Sequence, residues 1–260
     1  AEALPLFEEL FEKYPDECDE FDWWGYSQCL LKLDRYDEAL KYSREGLLKY
    51  SKSAYLSNVY TWSLYHVRIK PEPVNDQEAF FKAADAIARL TTNQDQHSPR
   101  ALTVFRVVDH LEADYDENAN EILAWILKLD PDTLSKTPFS FTNHEGKQVE
   151  MASDYERYYA ILVKAQQETG RYDDCLTSAG QALQSIKTFH HGNDVWIRRQ
   201  RAQACYKSGR LNESLGDYQW ILSRKKDWFL KMELARLYLA MGDSGNALIS
   251  ALDAADDPGI

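Results

Sequence analysis

Four short stretches of this chain carry one pattern: KLDRYDEAL at 32–40, ETGRYDDCL at 168–176, KSGRLNESL at 207–215 and AMGDSGNAL at 240–248. Each follows an apolar run of helical period. Each then turns at Gly or Asp and opens a second run with polar residues ahead of a small side chain and a leucine. A tight turn between two helical stripes, repeated along a chain, means that no single pair can bury its own apolar face. The pairs must stack on their neighbours. Placing the small residue that opens each second helix gives Ala3, Ala39, Ala79, Ala119, Cys175, Ser214 and Ala247, at intervals of 36, 40, 40, 56, 39 and 33 residues. The register therefore holds through insertions.

This pattern resembles the tetratricopeptide repeat (TPR), a helix-turn-helix unit of about 34 residues. WWGYSQCLLKLDRYDEALKYSREGLLKYS from Trp23 and YYAILVKAQQETGRYDDCLTSAGQAL from Tyr158 carry the resemblance best, and Pro15 and Pro131 stand where such units close. The resemblance implies an all-α, right-handed α-solenoid of about six and a half units. Gly170, Gly209 and Gly242 fall where the first helix of a unit ends, so they are predicted to take the left-handed cap.

Two stretches break the period. RIKPEPVNDQ (68–77) lengthens one turn, since its two prolines exclude helix. The insertion at 132–154 is predicted to form a short hairpin or joint, because FSFTNHEGKQVEM alternates around an Asn-His-Glu-Gly turn. The expected organisation is acidic repeats over 1–131, the insertion, and repeats with a basic groove over 155–260. Charge follows this division: residues 1–130 hold 25 acids and 14 bases, residues 131–260 hold 17 and 16.

Chemistry-bearing motifs are absent from the sequence. No nucleophile elbow, phosphate loop, paired-histidine zinc helix or nucleotide fingerprint occurs, so no enzymatic activity and no cofactor are expected. Cys18, Cys29, Cys175 and Cys205 lack the spacing of a zinc site or disulfide scaffold, and no apolar run reaches membrane-spanning length. A cytoplasmic protein without membrane contact is expected. In FHHGNDVWIRRQRAQACYKSG (189–209), His190, His191 and Asp194 lack the one-turn spacing of a helical metal pair. That loop is expected to be structural, with Asn193 or Asp194 capping the next helix.

In the family resembled, ligands lie in the concave groove walled by first helices. Carrying that wall over gives Arg157, Lys164, Trp196, Arg199, Gln203, Tyr206, Lys207, Phe229 and Arg236 as the binding set. Arginine forks among aromatic rings suit a protein or peptide with an acidic or phosphorylated segment. The clamp by which some members hold chaperone tails is not matched at Ala160, Gln200, Phe229 and Glu233. The expected function is a non-catalytic protein-protein interaction scaffold or regulatory module, a subunit of a larger assembly. The Arg199→Glu, Arg236→Glu pair is expected to abolish binding without unfolding. The alternative is a nucleic-acid-binding or regulatory segment of a larger prokaryotic complex or enzyme. FHHGNDVWIRR and KKDWFLKMELA resemble prokaryotic TPR proteins associated with nucleic-acid-handling modules.

Overall fold

A computed structural model describes residues 3–91 and 98–256. The described residues are all-α apart from one small sheet, and the chain divides into two compact units. The first comprises Ala1–Ala113 with Lys128–Leu134, the second Asp114–Leu127 with Ser135–Ile260. The helix pair whose second member opens near Ala119 is thus divided: α6 (Arg100–Leu111) belongs to the first unit and α7 (Tyr115–Ile126) to the second.

In the first unit, α1 (Leu4–Lys13) is followed by α2 (Glu20–Lys32), α3 (Tyr36–Lys49), α4 (Ala54–Leu64) and α5 (Gln77–Leu90). Helices α2, α3 and α4 pack on one another, so each pair covers its neighbour's stripe. Their core is aromatic. Phe11 meets Trp23 edge-on at 4.7 Å, Tyr26 at 4.8 Å and Tyr42 at 5.8 Å. Gly46 of α3 lets this layer close, because a Cβ there would stand 3.0 Å from Leu56 and 3.1 Å from Trp23. Asp19 caps α2 in a reciprocal box with Asp22, and Ser53 caps α4. After Leu64 the chain makes one wider turn (65–69) before the proline-bearing stretch ends the helix. Arg100 donates to the carbonyls of Ala88, Thr91 and Lys128, closing the C-terminal end of α5.

In the second unit, α8 (Asp154–Glu168), α9 (Tyr172–Ser185), α10 (Asn193–Lys207), α11 (Leu211–Leu222), α12 (Trp228–Ala240) and α13 (Ser244–Ala255) follow in order. Each packs on the next, and α8 also packs on α10, the stacking a solenoid requires. The small residues opening the second helices do what the register demands. Cys175 and Ser214 are fully buried, Cys175 against the carbonyls of Val163 and Gln200, Ser214 donating to the Ala202 carbonyl at 2.8 Å.

The turns are built alike. Gly170, Gly209 and Gly242 have φ of 74°, 76° and 80°. The next residue's N–H returns to a carbonyl five residues back in each: Arg171 to Gln166, Arg210 to Cys205, Asp243 to Tyr238. Asp34, at φ 59°, makes the same turn without glycine, with Arg35 bonded to Leu30. This is the Schellman closure, which satisfies the carbonyls a helix end leaves open. Strand β1 (Phe139–Thr142) pairs antiparallel with β2 (Gln148–Met151) around Asn143, whose Oδ1 accepts from the Glu145 and Lys147 N–H groups. The hairpin drawn from the sequence is therefore formed.

Candidate functional site

Helix α10 begins at Gly192, which stands in the left-handed region with no side-chain cap. The cap expected from Asn193 or Asp194 is not made: both residues lie inside α10, Gly192 takes the N-cap position, and the Asn193 amide turns to α8. It donates to Glu156 Oε1 at 2.8 Å. Glu156 is buried in the first turn of α8, and it also accepts from the His190 N–H and faces His190 Nδ1, both at 2.7 Å. The other ring nitrogen, Nε2, lies 2.7 Å from Glu150 of β2. Hydrogen bonds from its ring to the Glu150 and Glu156 carboxylates raise the His190 pKa above its ordinary value. His190 thus ties the hairpin, the loop and α8 together. His191 sits beside it at φ 53°.

Along α10, residues 196, 199, 203, 206 and 207 share one face, as helical spacing requires. The Trp196 and Phe229 rings stack nearly parallel, 13° apart with centroids at 6.3 Å. Arg199 lies over Phe229 at 5.3 Å and grips the Glu233 carboxylate with Nε and Nη2. Gln203 donates to Glu233 at 3.0 Å and Tyr218 at 3.1 Å. Burial first, then the facing Glu233, pushes the Tyr218 phenol well above its ordinary pKa, so it stays a donor. Lys225 stands over Trp196 at 5.3 Å.

The structure therefore brings Trp196, Arg199, Gln203 and Phe229 together and adds Glu233 and Tyr218. Tyr206 packs on the same apolar cluster. Lys207 and Arg236 are exposed. Lys164 places its Nζ 3.4 Å from the Tyr115 ring of α7, and Arg157 lies near Asp154 and lowers a carboxyl pKa that burial raises more strongly. Arg199 is not an open cation, because Glu233 already answers its charge. Exchange of Arg199 for glutamate would set two carboxylates together, so the expectation that this variant leaves folding untouched is corrected.

Register reasoning overlooked two buried acids, Glu156 and Asp217. Asp217 (α11) is held by Arg198 at 3.3 Å and by Arg201 through Nε at 2.7 Å. Its inward place, one turn after the buried Ser214, was the available signal. Glu156 stands in the S-x-x-E spacing of a capping box after Ser153, which gives its carboxylate a local role. Ser153 does accept from the Glu156 N–H, but the carboxylate turns to His190.

All four cysteines are free thiols, and burial pushes Cys175 up to about 12 and Cys205 up to about 11, which keeps both protonated and unreactive. Among the described residues, no group of three or more His, Cys, Asp and Glu side chains is placed to hold a metal, and no helix is long and apolar enough to cross a membrane.

No protein-family model matches the sequence, and no curated protein matches it. Solved structures that align with it include proteins described as TPR proteins. YrrB, described as having an unusual peptide-binding site, is 12% identical over 96% of this chain and 91% of its own, with a TM-score of 0.35. A tetratricopeptide repeat protein from Parabacteroides merdae is 11% identical over 97% and 84%, at 0.39. The human IFIT1 dimer with PPP-AAAA is 14% identical over 98% and 55%, also at 0.39. The chain resembles TPR proteins. At these scores the resemblance stands on the stacked helix pairs and their repeated turns.

Proposed function

We propose that this chain is a non-catalytic interaction scaffold, and that the face shared by α10 and α12 holds a segment of a partner protein. The Trp196–Phe229 stack carries the reading: two partly exposed, nearly parallel rings, with the Arg199 guanidinium over Phe229 and Lys225 over Trp196. Rings held this way offer apolar contact at little entropic cost, as binding hot spots do. An acidic or phosphorylated side chain of the partner would meet Arg236 and Lys207 at the exposed rim, while Arg199 and Glu233 hold the floor.

The test is capture of the native partner by Trp196→Ala and by the Lys207→Glu, Arg236→Glu pair, with melting followed in parallel. Affinity should fall by roughly tenfold or more in each, at unchanged melting temperature. Retained affinity in both would sink the assignment. Salt titration separates the ligand classes: a protein segment gives a shallow slope, whereas a nucleic-acid backbone would give a steep one.

A further inference from the structure

The second unit has a cavity of about 620 Å³ lined by α9, α10 and α11. It is lined by the opposite side of α10 from Trp196, including Arg198, Arg201 and Cys205. We propose that this cavity is a binding site for an oxyanion, a carboxylate or phosphate group, received by Arg198 and Arg210 beside Trp220. The site is independent of the α10–α12 face.

Arg198 and Arg201 are only 24% and 28% exposed, and both converge on one carboxylate, Asp217, which is 4% exposed. Two guanidiniums on one buried acid leave a net positive charge in a poorly hydrated place, which is costly unless an anion joins it. Glu213 also lines the cavity and its charge reaches Arg201, so the lining sets three arginines against two carboxylates. The two arginines are also unequal. Arg201 grips Asp217 with Nε and Nη2. Arg198 gives it one bond at 3.3 Å, and its Nε is buried without any acceptor. The chain itself does not complete this guanidinium. The Arg198 Cζ lies 4.1 Å from the Trp220 ring centre, and its planar fork is the donor set that oxyanions need. Arg210 brings a second guanidinium. Its bond to Asp173 is a surface pair, with side chains 45% and 86% exposed, and is readily exchanged for a ligand.

Gly216 supplies a clean test. It lies in α11 on the cavity wall, and a Cβ there meets nothing within 4 Å. Gly216→Leu therefore fills the cavity from a helical position that favours leucine over glycine. The full chain is titrated calorimetrically with inorganic phosphate and with an end-blocked glycine peptide carrying one phosphoserine. Saturable one-to-one binding is expected, weakened roughly tenfold or more by Gly216→Leu and by Arg198→Gln, which leaves Asp217 paired with Arg201. Lys147→Gln, on the hairpin, serves as the unchanged control. Circular dichroism verifies that each variant is folded. Tighter binding of the phosphopeptide assigns the oxyanion to a partner's side chain, and equal binding assigns it to a free anion; both support the site. Absence of saturable binding overturns the proposal. So does wild-type affinity in folded Gly216→Leu, or loss of phosphate binding in Arg236→Gln with Gly216→Leu unaffected.

Discussion

The two units reach the same helix pairing with different interiors. The first is held by rings: Phe11 and Tyr42 each meet Trp23, Tyr26 and one another with centroids no more than 6.4 Å apart. The second holds three carboxylates, the buried Glu156 and Asp217 and the partly buried Glu233, each ringed by donors from another helix or loop. Ring packing scales with area and tolerates salt and pH. A buried acid is worth something only while its partners remain, and removing one of them is costly. Both interiors satisfy one fold pattern, so the repeat dictates where helices lie and leaves open what joins them.

The largest effect should come from cutting the aromatic layer. Trp23→Ala is expected to destabilise the first unit by about 3–5 kcal/mol and to leave hydrogen-exchange protection in α10–α13 unchanged. Loss of protection across both units would erase the distinction. Next comes Glu233→Ala, which strands Arg199 and Tyr218 and should cost the second unit about 3 kcal/mol in denaturant unfolding. Replacing both charges, Arg199→Met with Glu233→Leu, should recover most of that loss. If the double variant is as unstable as the single one, the carboxylate network is not what distinguishes this unit.

A smaller effect concerns pH. Both ring nitrogens of His190 face carboxylates, and only the imidazolium donates from both. Its folded pKa is raised above the unfolded value of about 6.5. The stabilisation is therefore fully present below the unfolded pKa and is lost as pH rises through the folded one. Protection factors of the hairpin amides at 148–151 should fall across that window, and His190→Gln should abolish the step. The smallest effect belongs to the turns. Asp34→Gly should stabilise the first unit by up to about 1 kcal/mol by relieving a left-handed residue. Gly170→Ala should cost the second a similar amount, and thermal melts of the pair would show the two opposite signs.

The turns were legible because glycine at a helix end has a local cause, and so was the hairpin, with its alternation around Asn143 to Gly146. The shared face of Trp196, Arg199 and Gln203 was legible from spacing alone. The charge that answers Arg199 was not, since Glu233 lies 34 residues away and only the packing of α10 on its neighbours brings it close. Asp217 and Glu156 escaped for the same reason. Their donors come from other segments, and an acid in a helix reads as solvated until those segments are placed. The split of 98–131 between the units was hidden as well, because period alone does not say on which side a pair packs.

The repeated closure at residues 34, 170, 209 and 242 has a consequence for how such a chain can be edited. Each turn satisfies its own helix end by local bonds and asks nothing of the next pair. Gly170-Arg171 and Gly209-Arg210 are interchangeable seams, and the 39 residues separating them form one complete period. Excision at these seams would join a first helix to a second helix in unbroken register, so a chain of this design can lengthen or shorten by whole periods without inventing a new junction.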